Sequence, residues 1–257
     1  MTDLDGEMML LRERNDTALS NGDAIVLDSA VVVRQGARIL GPVSLRLAES
    51  RIGVVGRNGS GKTTLARLIC GLVEAESGTA RVFGIDAFRN RPAAIRAVGI
   101  LFQNPDHQII FPTVGEEIAF GLSQLGTSKA DAAKEVGRVL ARFGRPHWAD
   151  RPIHTLSQGQ RHLVCLMSVL AMEPRLILLD EPFAGLDIPT ARTLGRYLEA
   201  LDQRIVHIAH DPAMLTDCDR VIWLEDGEVA LDGPPEQVLP TYRTAMETDD
   251  DRSDLSD

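Results

Sequence analysis

The chain has 257 residues, 44% of them hydrophobic, and a formal net charge of -10; that is ample for a substantial core and ordinary for a soluble protein. The acidic balance argues against a general affinity for nucleic acid, which needs a basic surface to displace counterions. Cys70, Cys165 and Cys218 have neither CxxC nor Cys/His ligand spacing, so they read as small buried hydrophobes in a reducing compartment, not as a disulfide framework or a zinc site.

Residues 1–23 are polar and lack periodic apolar positions, which reads as a mobile leader. Residues 8–11 are apolar but too few for a signal peptide, and no stretch approaches the roughly 20 apolar residues of a membrane-spanning helix. The expected location is therefore cytoplasmic, with membrane contact only through a partner. The β-rich run 25–33, Gly36 and the alternation Val43, Leu45, Leu47 predict strands joined by a hairpin-like turn in a small antiparallel sheet. An apolar strand over 52–55 and a helix over 65–70 flank Gly56-Arg57-Asn58-Gly59-Ser60-Gly61-Lys62-Thr63-Thr64, which fits GxxxxGK[ST]. A strand feeding a helix through glycines leaves backbone N–H groups and a helix dipole that favour an anion. Lys62 would reach the terminal phosphates of a nucleotide, and the Thr63 hydroxyl would hold Mg²⁺.

A further short strand is expected over 80–83, then a basic surface loop or short helix over 89–96, then an apolar strand ending before Gln103. From Asn104 the pattern turns polar and proline-containing, with helical periodicity over 114–122 and 128–143. This marks an inserted α-helical subdomain over about 104–156. Helix 162–170, the fully apolar strand 176–179, helix 189–201, strand 205–209 and two strands around the turn Asp226-Gly227 complete the globule. The acidic stretch 241–257 reads as a disordered tail.

Asp180 and Glu181 end the most apolar strand, at the edge where open α/β sheets bind ligands. Asp180 there suits a metal-coordinating carboxylate, and Glu181 beside it suits a group that polarises attacking water. Gln103 and His210 each follow an apolar strand and so reach the same edge; taken singly, each is an ordinary polar strand end.

The succession GRNGSGKT, Gln103, LSQGQ (156–160), LILLDEP (176–182), AGLD (184–187) and His210 resembles the ATP-binding subunit of an ABC transporter over about residues 24–240. The resemblance implies a P-loop NTPase with a RecA-like α/β core, an antiparallel β subdomain and the inserted helical subdomain. It further implies two subunits, as homodimer or heterodimer, facing head to tail around two ATP molecules with Mg²⁺. Ser157, Gly159 and Gln160 of one subunit would complete the site built on Gly56–Thr64 of the other. Glu181 would be the base, His210 would contact the γ-phosphate, Gln103 would contact Mg²⁺ or water, and Asp187 would lie at the dimer seam.

Residues 101–123, LFQNPDHQIIFPTVGEEIAFGLS, are similar to energy-coupling factor (ECF) type ATPases of vitamin and metal-ion uptake. QGQRH, VLAME and DEPFAGLD resemble the biotin-uptake branch in particular, beside the related cobalt-uptake branch. By that resemblance Asp106, Gln108, Ile109, Ile110 and Phe111 would line a groove for a coupling helix of a transmembrane subunit, which works beside a substrate-binding membrane subunit at the cytoplasmic face; Ile109, Ile110 and Phe111 also suit plain packing of the helical subdomain.

The chain departs from the family pattern at three places. Arg34 stands where an aromatic stacks on adenine, and a guanidinium also stacks on a flat base. Gln158 replaces a glycine of the signature, and Leu163 an arginine. An ABC-type ATPase acting on nucleic acid would carry a long coiled coil or a second cassette, and the chain shows neither. A non-hydrolysing nucleotide regulator would lack Glu181.

Overall fold

Sequence periodicity separates two kinds of strand. β1 (Ile25–Arg34) and β2 (Ala37–Leu47) mix buried and exposed positions, whereas β3 (Arg51–Val55) is buried from Ile52 onward, as a strand covered on both faces must be. In this computed structural model, which describes residues 21–253, Gln35 and Gly36 join β1 to β2 with φ of 52° and 79°. That left-handed pair is what a two-residue hairpin turn requires. The order continues α1 (Lys62–Ile69), β4 (Ser77–Val82), α2 (Arg91–Ala97), β5 (Val98–Leu101), α3 (Val114–Gln124), α4 (Lys129–Arg142), α5 (Gln158–Ala171), β6 (Leu176–Asp180), α6 (Ile188–Glu199), β7 (Arg204–Ile208), β8 (Arg220–Glu225), β9 (Glu228–Gly233) and α7 (Pro235–Ser253).

These strands make an antiparallel sheet of order β2-β1-β4 and a six-stranded sheet of order β5-β6-β7-β3-β8-β9. The larger sheet is parallel from β5 to β8, with β9 antiparallel at its edge. The C-terminal ends of β3, β5, β6 and β7 therefore fall along one border, where crevices form in such sheets. Leu65, Ala66, Leu68 and Ile69 of α1 share one core with Ile52, Val54, Val206 and Ile208 of the large sheet and with Leu27 and Leu45 of the small one. A second core gathers α3, α4, α5 and α6 around Leu179 and Ile205. Thr113, Ser128 and Ser157 cap the starts of α3, α4 and α5 with side-chain oxygens, each cap contributing about 1 kcal/mol.

The structure moves two boundaries. Asn21–Asp23, read from sequence as leader, form a short helical turn in which the Asp23 carboxylate accepts from Arg175 and the Asp23 carbonyl from Arg204, both at 2.8 Å; residues 1–20 lie outside the described residues. The stretch from 241, read as a disordered tail, instead continues α7 to Ser253. Val238, Leu239 and Tyr242 are buried against Val55, Leu215 and Val221, and Tyr242 meets Trp223 edge-on at 5.5 Å between ring centroids. Acidic composition at the end masked the apolar face at the helix's start; residues 254–257 lie outside the described residues. Cys165 is buried, while Cys70 and Cys218 are only partly so, and all three are free thiols. Among the described residues no helix is long and apolar enough to cross a membrane.

Candidate active site

The glycines after β3 are set by space and by backbone angle. A Cβ on Gly56 would lie 2.2 Å from the Leu224 carbonyl oxygen and 2.6 Å from Ser60 Oγ, and Gly61 takes φ 99° at the entrance to α1. No side chain caps α1, so its first amides remain available to an anion. Lys62 is 6% exposed, and its Nζ donates to the carbonyls of Gly56 and Arg57, both at 2.7 Å. Burial pulls the Lys62 pKa down, while Glu181, Asp180 and Glu225 pull the other way. Ser60 Oγ is buried without a hydrogen-bond partner. A loop with uncapped amides, a buried ammonium and an orphaned hydroxyl fits a nucleotide's phosphates. Arg57, Asn58 and Gly59 are exposed on the loop, and Thr63 and Thr64 are half-buried in the first turn of α1.

Asp180 ends β6 and is 6% exposed. Burial raises its pKa, Glu181 adds to the rise, and a hydrogen bond from Thr63 opposes it. A buried carboxylate held against a hydroxyl suits a hard cation that takes oxygen ligands and keeps water, as Mg²⁺ does. Among the described residues no group of three or more His, Cys, Asp or Glu side chains is placed to hold a metal; Thr63 meets Asp180, while Gln103 is held by its bond to Glu181.

Glu181 takes φ 53°, uncommon for a non-glycine residue, and its N–H donates to the Ile208 carbonyl at 3.0 Å. That anchor turns its side chain toward the ends of both neighbouring strands. Glu181 Oε1 lies 2.5 Å from His210 Nε2, and Oε2 accepts from Gln103 Nε2 at 2.8 Å. The structure thus brings Gln103, Glu181 and His210 into one hydrogen-bonded cluster, with Glu181 11% and His210 47% exposed.

Ser157, Gly159 and Gln160 form a second group at the start of α5. Ser157 Oγ accepts from the Gln160 N–H while Gln160 Oε1 accepts from the Ser157 N–H, a reciprocal capping box. A Cβ on Gly159 would lie 2.1 Å from Thr190 Cγ2, so this glycine lets α5 sit against α6. Asp187 caps α6 by accepting from the Thr190 N–H at 2.8 Å; a hydrogen bond from the Thr190 hydroxyl, and after it this N–H, hold its carboxyl below the usual range. Gln158 packs beside Gly185, its Nε2 3.0 Å from where a Cβ would stand. Arg34 is exposed at the end of β1; the following strand reaches the phosphate loop, the Ile39 carbonyl oxygen lying 3.1 Å from a Cβ on Gly61.

Sequence reasoning named Asp106 and Gln108 only as groove residues and missed Glu117 and His162, which together with them stiffen the segment after Gln103. Gln108 Oε1 accepts from the Phe102 N–H at 3.2 Å, and Asp106 pairs with Arg161 of α5 at 3.0 Å. Glu117, 5% exposed, accepts the N–H groups of both Ile110 and Phe111 on one oxygen, each at 2.9 Å. Its signal was an acid on the apolar face of α3, one turn after Val114 and beside Ile118. His162 is fully buried, with Nε2 3.1 Å from the Gln103 carbonyl and Nδ1 3.3 Å from that of Gln158. Ile110, held by Glu117, is 70% exposed.

Residues 40–184 match the ABC transporter family model. The chain belongs to the ABC transporter family. It is 52% identical over 224 residues to the biotin transport ATP-binding protein BioM of Rhodobacter capsulatus, covering 87% of this chain and 96% of that one. Similarity to the protein of the same name in Rhizobium etli is 41% over 209 residues, 81% of this chain and 93% of that one. Among solved structures, cbiO1 from Clostridium perfringens, described as part of the ABC transporter complex cbiONQ, superposes with a TM-score of 0.73 at 27% identity. That match covers 87% of this chain and 93% of the other. This ABC subunit is a P-loop ATPase.

Proposed function

We propose that this subunit powers ECF-type import of biotin by binding and hydrolysing ATP at the cytoplasmic face of a transmembrane coupling subunit, which works with a substrate-binding membrane subunit. The observation that carries the reading is the Gln103–Glu181 bond, because it joins the catalytic edge to the stiff segment that ends at exposed Ile110. A partner helix pressing on Ile110 moves Gln103, and Gln103 moves with the carboxylate. The biotin assignment is supported by similarity to the two BioM proteins.

Within the site the loop amides and Lys62 bind and orient the phosphates. Thr63, Asp180 and Gln103 would hold Mg²⁺, which when bound neutralises charge on the terminal phosphates. Glu181 accepts a proton from the attacking water, and His210 orients the γ-phosphate side of the site. Ser157, Gly159 and Gln160 of a second ATPase subunit close it, with Asp187 at the seam and Arg34 against the base. Mg²⁺ fits the donor set, and the second subunit is either a copy or a relative.

Glu181→Gln keeps both hydrogen-bonding neighbours but cannot take a proton. It should retain ATP binding, lose hydrolysis by about 100-fold or more and accumulate as a nucleotide-bound dimer on size-exclusion chromatography. Hydrolysis at the wild-type rate would remove Glu181 from its role. In proteoliposomes with the membrane partners, ATP-dependent accumulation of labelled biotin supports the substrate; accumulation of cobalt and not biotin transfers the protein to the metal-uptake branch.

A further inference from the structure

β7 runs Arg-Ile-Val-His-Ile, and alternation puts Val206 and Ile208 into the core shared with α1 while Ile205 faces α6. His207 points the same way as Ile205, where an aliphatic side chain is the expected choice. Its Nε2 is buried and has no hydrogen-bond partner, and the nearest ring, Phe183, meets it edge-on at 5.7 Å. An unpaired buried polar group costs about 1–3 kcal/mol.

The helix above carries a matching oddity. Gly195 lies inside α6, where glycine costs about 1 kcal/mol relative to alanine. Nothing stands within 4 Å of where its Cβ would be, and its φ does not demand glycine. Neither packing nor backbone angle accounts for the residue. Both oddities border one cavity of about 540 Å³, walled by Leu179, Phe183, Leu198, Ile205 and Met214. That size is within the usual range for a small-molecule site. The rim carries Arg192 and Arg51 with Glu199 and Asp217, so neither sign of charge is selected, and the walls favour an uncharged ligand.

We propose that this cavity is a binding site for a small, flat, uncharged ring compound with one hydrogen-bonding atom at its edge, met by His207 Nε2. Gly195 leaves room for the ring, and the apolar walls bury its faces. The site lies behind the catalytic edge: Leu179 precedes Asp180, Phe183 follows Glu181 by two positions, and His207 precedes His210 by three.

Three probes of similar shape test it by calorimetry and ligand-observed NMR on the full chain: indole, whose N–H suits a bare Nε2, quinoline, whose ring nitrogen suits a protonated one, and naphthalene, which offers neither. The wild type should bind all three saturably at one site, with indole or quinoline preferred over naphthalene by about tenfold. Gly195→Leu, which fills the space, should abolish binding while ATP binding and melting temperature are kept. His207→Val should still bind naphthalene and lose the preference, which keeps the test decisive if the leucine variant folds poorly. No saturable binding to the wild type, binding that survives Gly195→Leu in folded protein, or an unchanged preference in His207→Val overturns the proposal.

Discussion

At the scale of single residues, burial decides protonation. Burial holds His207 at a pKa of about 4 against 6.5 in an unfolded chain, so folding favours the neutral ring. The resulting stability is present above pH 6.5 and is lost as pH falls from there toward 4, amounting to about 2 kcal/mol lost by pH 5. Comparing urea midpoints at pH 7.5 and 5 should show a larger drop for the wild type than for His207→Val; equal drops would contradict the burial of that ring. For Lys62→Ala, removal of a charged donor should weaken ATP binding by roughly tenfold to a hundredfold, and calorimetry giving the wild-type affinity would detach Lys62 from the phosphates. Lys62, Asp180 and Glu181 were legible because their chemistry dictates an order in the chain: glycines before the lysine, aliphatics before the acids. His207 was not legible as an orphan, because only the positions of its neighbours show that no partner comes within reach.

At the scale of elements, the segment after Gln103 is short and tied at several points. Glu117 matters most, since its carboxylate satisfies two adjacent backbone N–H groups from inside the second core. Glu117→Ala strands both and should cost about 2 kcal/mol or more, open residues 109–111 to limited proteolysis and reduce co-purification with the membrane partner. Glu117→Gln retains an acceptor oxygen and should behave nearly as wild type; identical cleavage of the Ala variant and wild type would show that the segment stands without this carboxylate. Ile110→Glu leaves that backbone arrangement intact and should abolish co-purification while ATP binding persists, and partner recovered at wild-type yield would remove Ile110 from the interface. The sequence exposed this segment as a change from apolar strand to polar, proline-containing chain, and the helices after it were plain from their period. Its tethers were not, because Gln108, Asp106 and Glu117 act on backbone groups and on α5, partners that spacing alone does not reveal.

At the scale of the whole molecule, two cores meet on one parallel sheet and a third, smaller one is closed by α7. The P-loop α/β architecture was readable from the alternation of apolar strands with helical patterns, since buried parallel strands show as unbroken aliphatic runs such as residues 176–179. The extent of α7 was not, because Asp-rich composition outweighed three apolar contacts. Truncation before Pro235 removes Val238, Leu239 and Tyr242 from burial, each worth roughly 1.5–3 kcal/mol for a large apolar side chain, and their sum rivals the 5–15 kcal/mol typical of a whole fold. That variant should fail to accumulate as soluble protein, whereas truncation after Thr248 should melt as the full chain does. Equal melting of both would make α7 dispensable.

The bonds at Glu181 have a last consequence. Both carboxylate oxygens are engaged, one by His210 and the other by Gln103, so each has already given one of its lone-pair sites to a neighbour and draws a proton from water less strongly than a free carboxylate would. If Glu181 is the base, as proposed above, a solitary subunit rests with the safety catch on. The two side chains that hold the catch come from the strands on either side, and each must change partners before the base is armed. On the proposed function His210 answers to nucleotide and Gln103 to whatever presses on Ile110, so hydrolysis should be fastest when both signals arrive, and little fuel should be burned in an idle transporter.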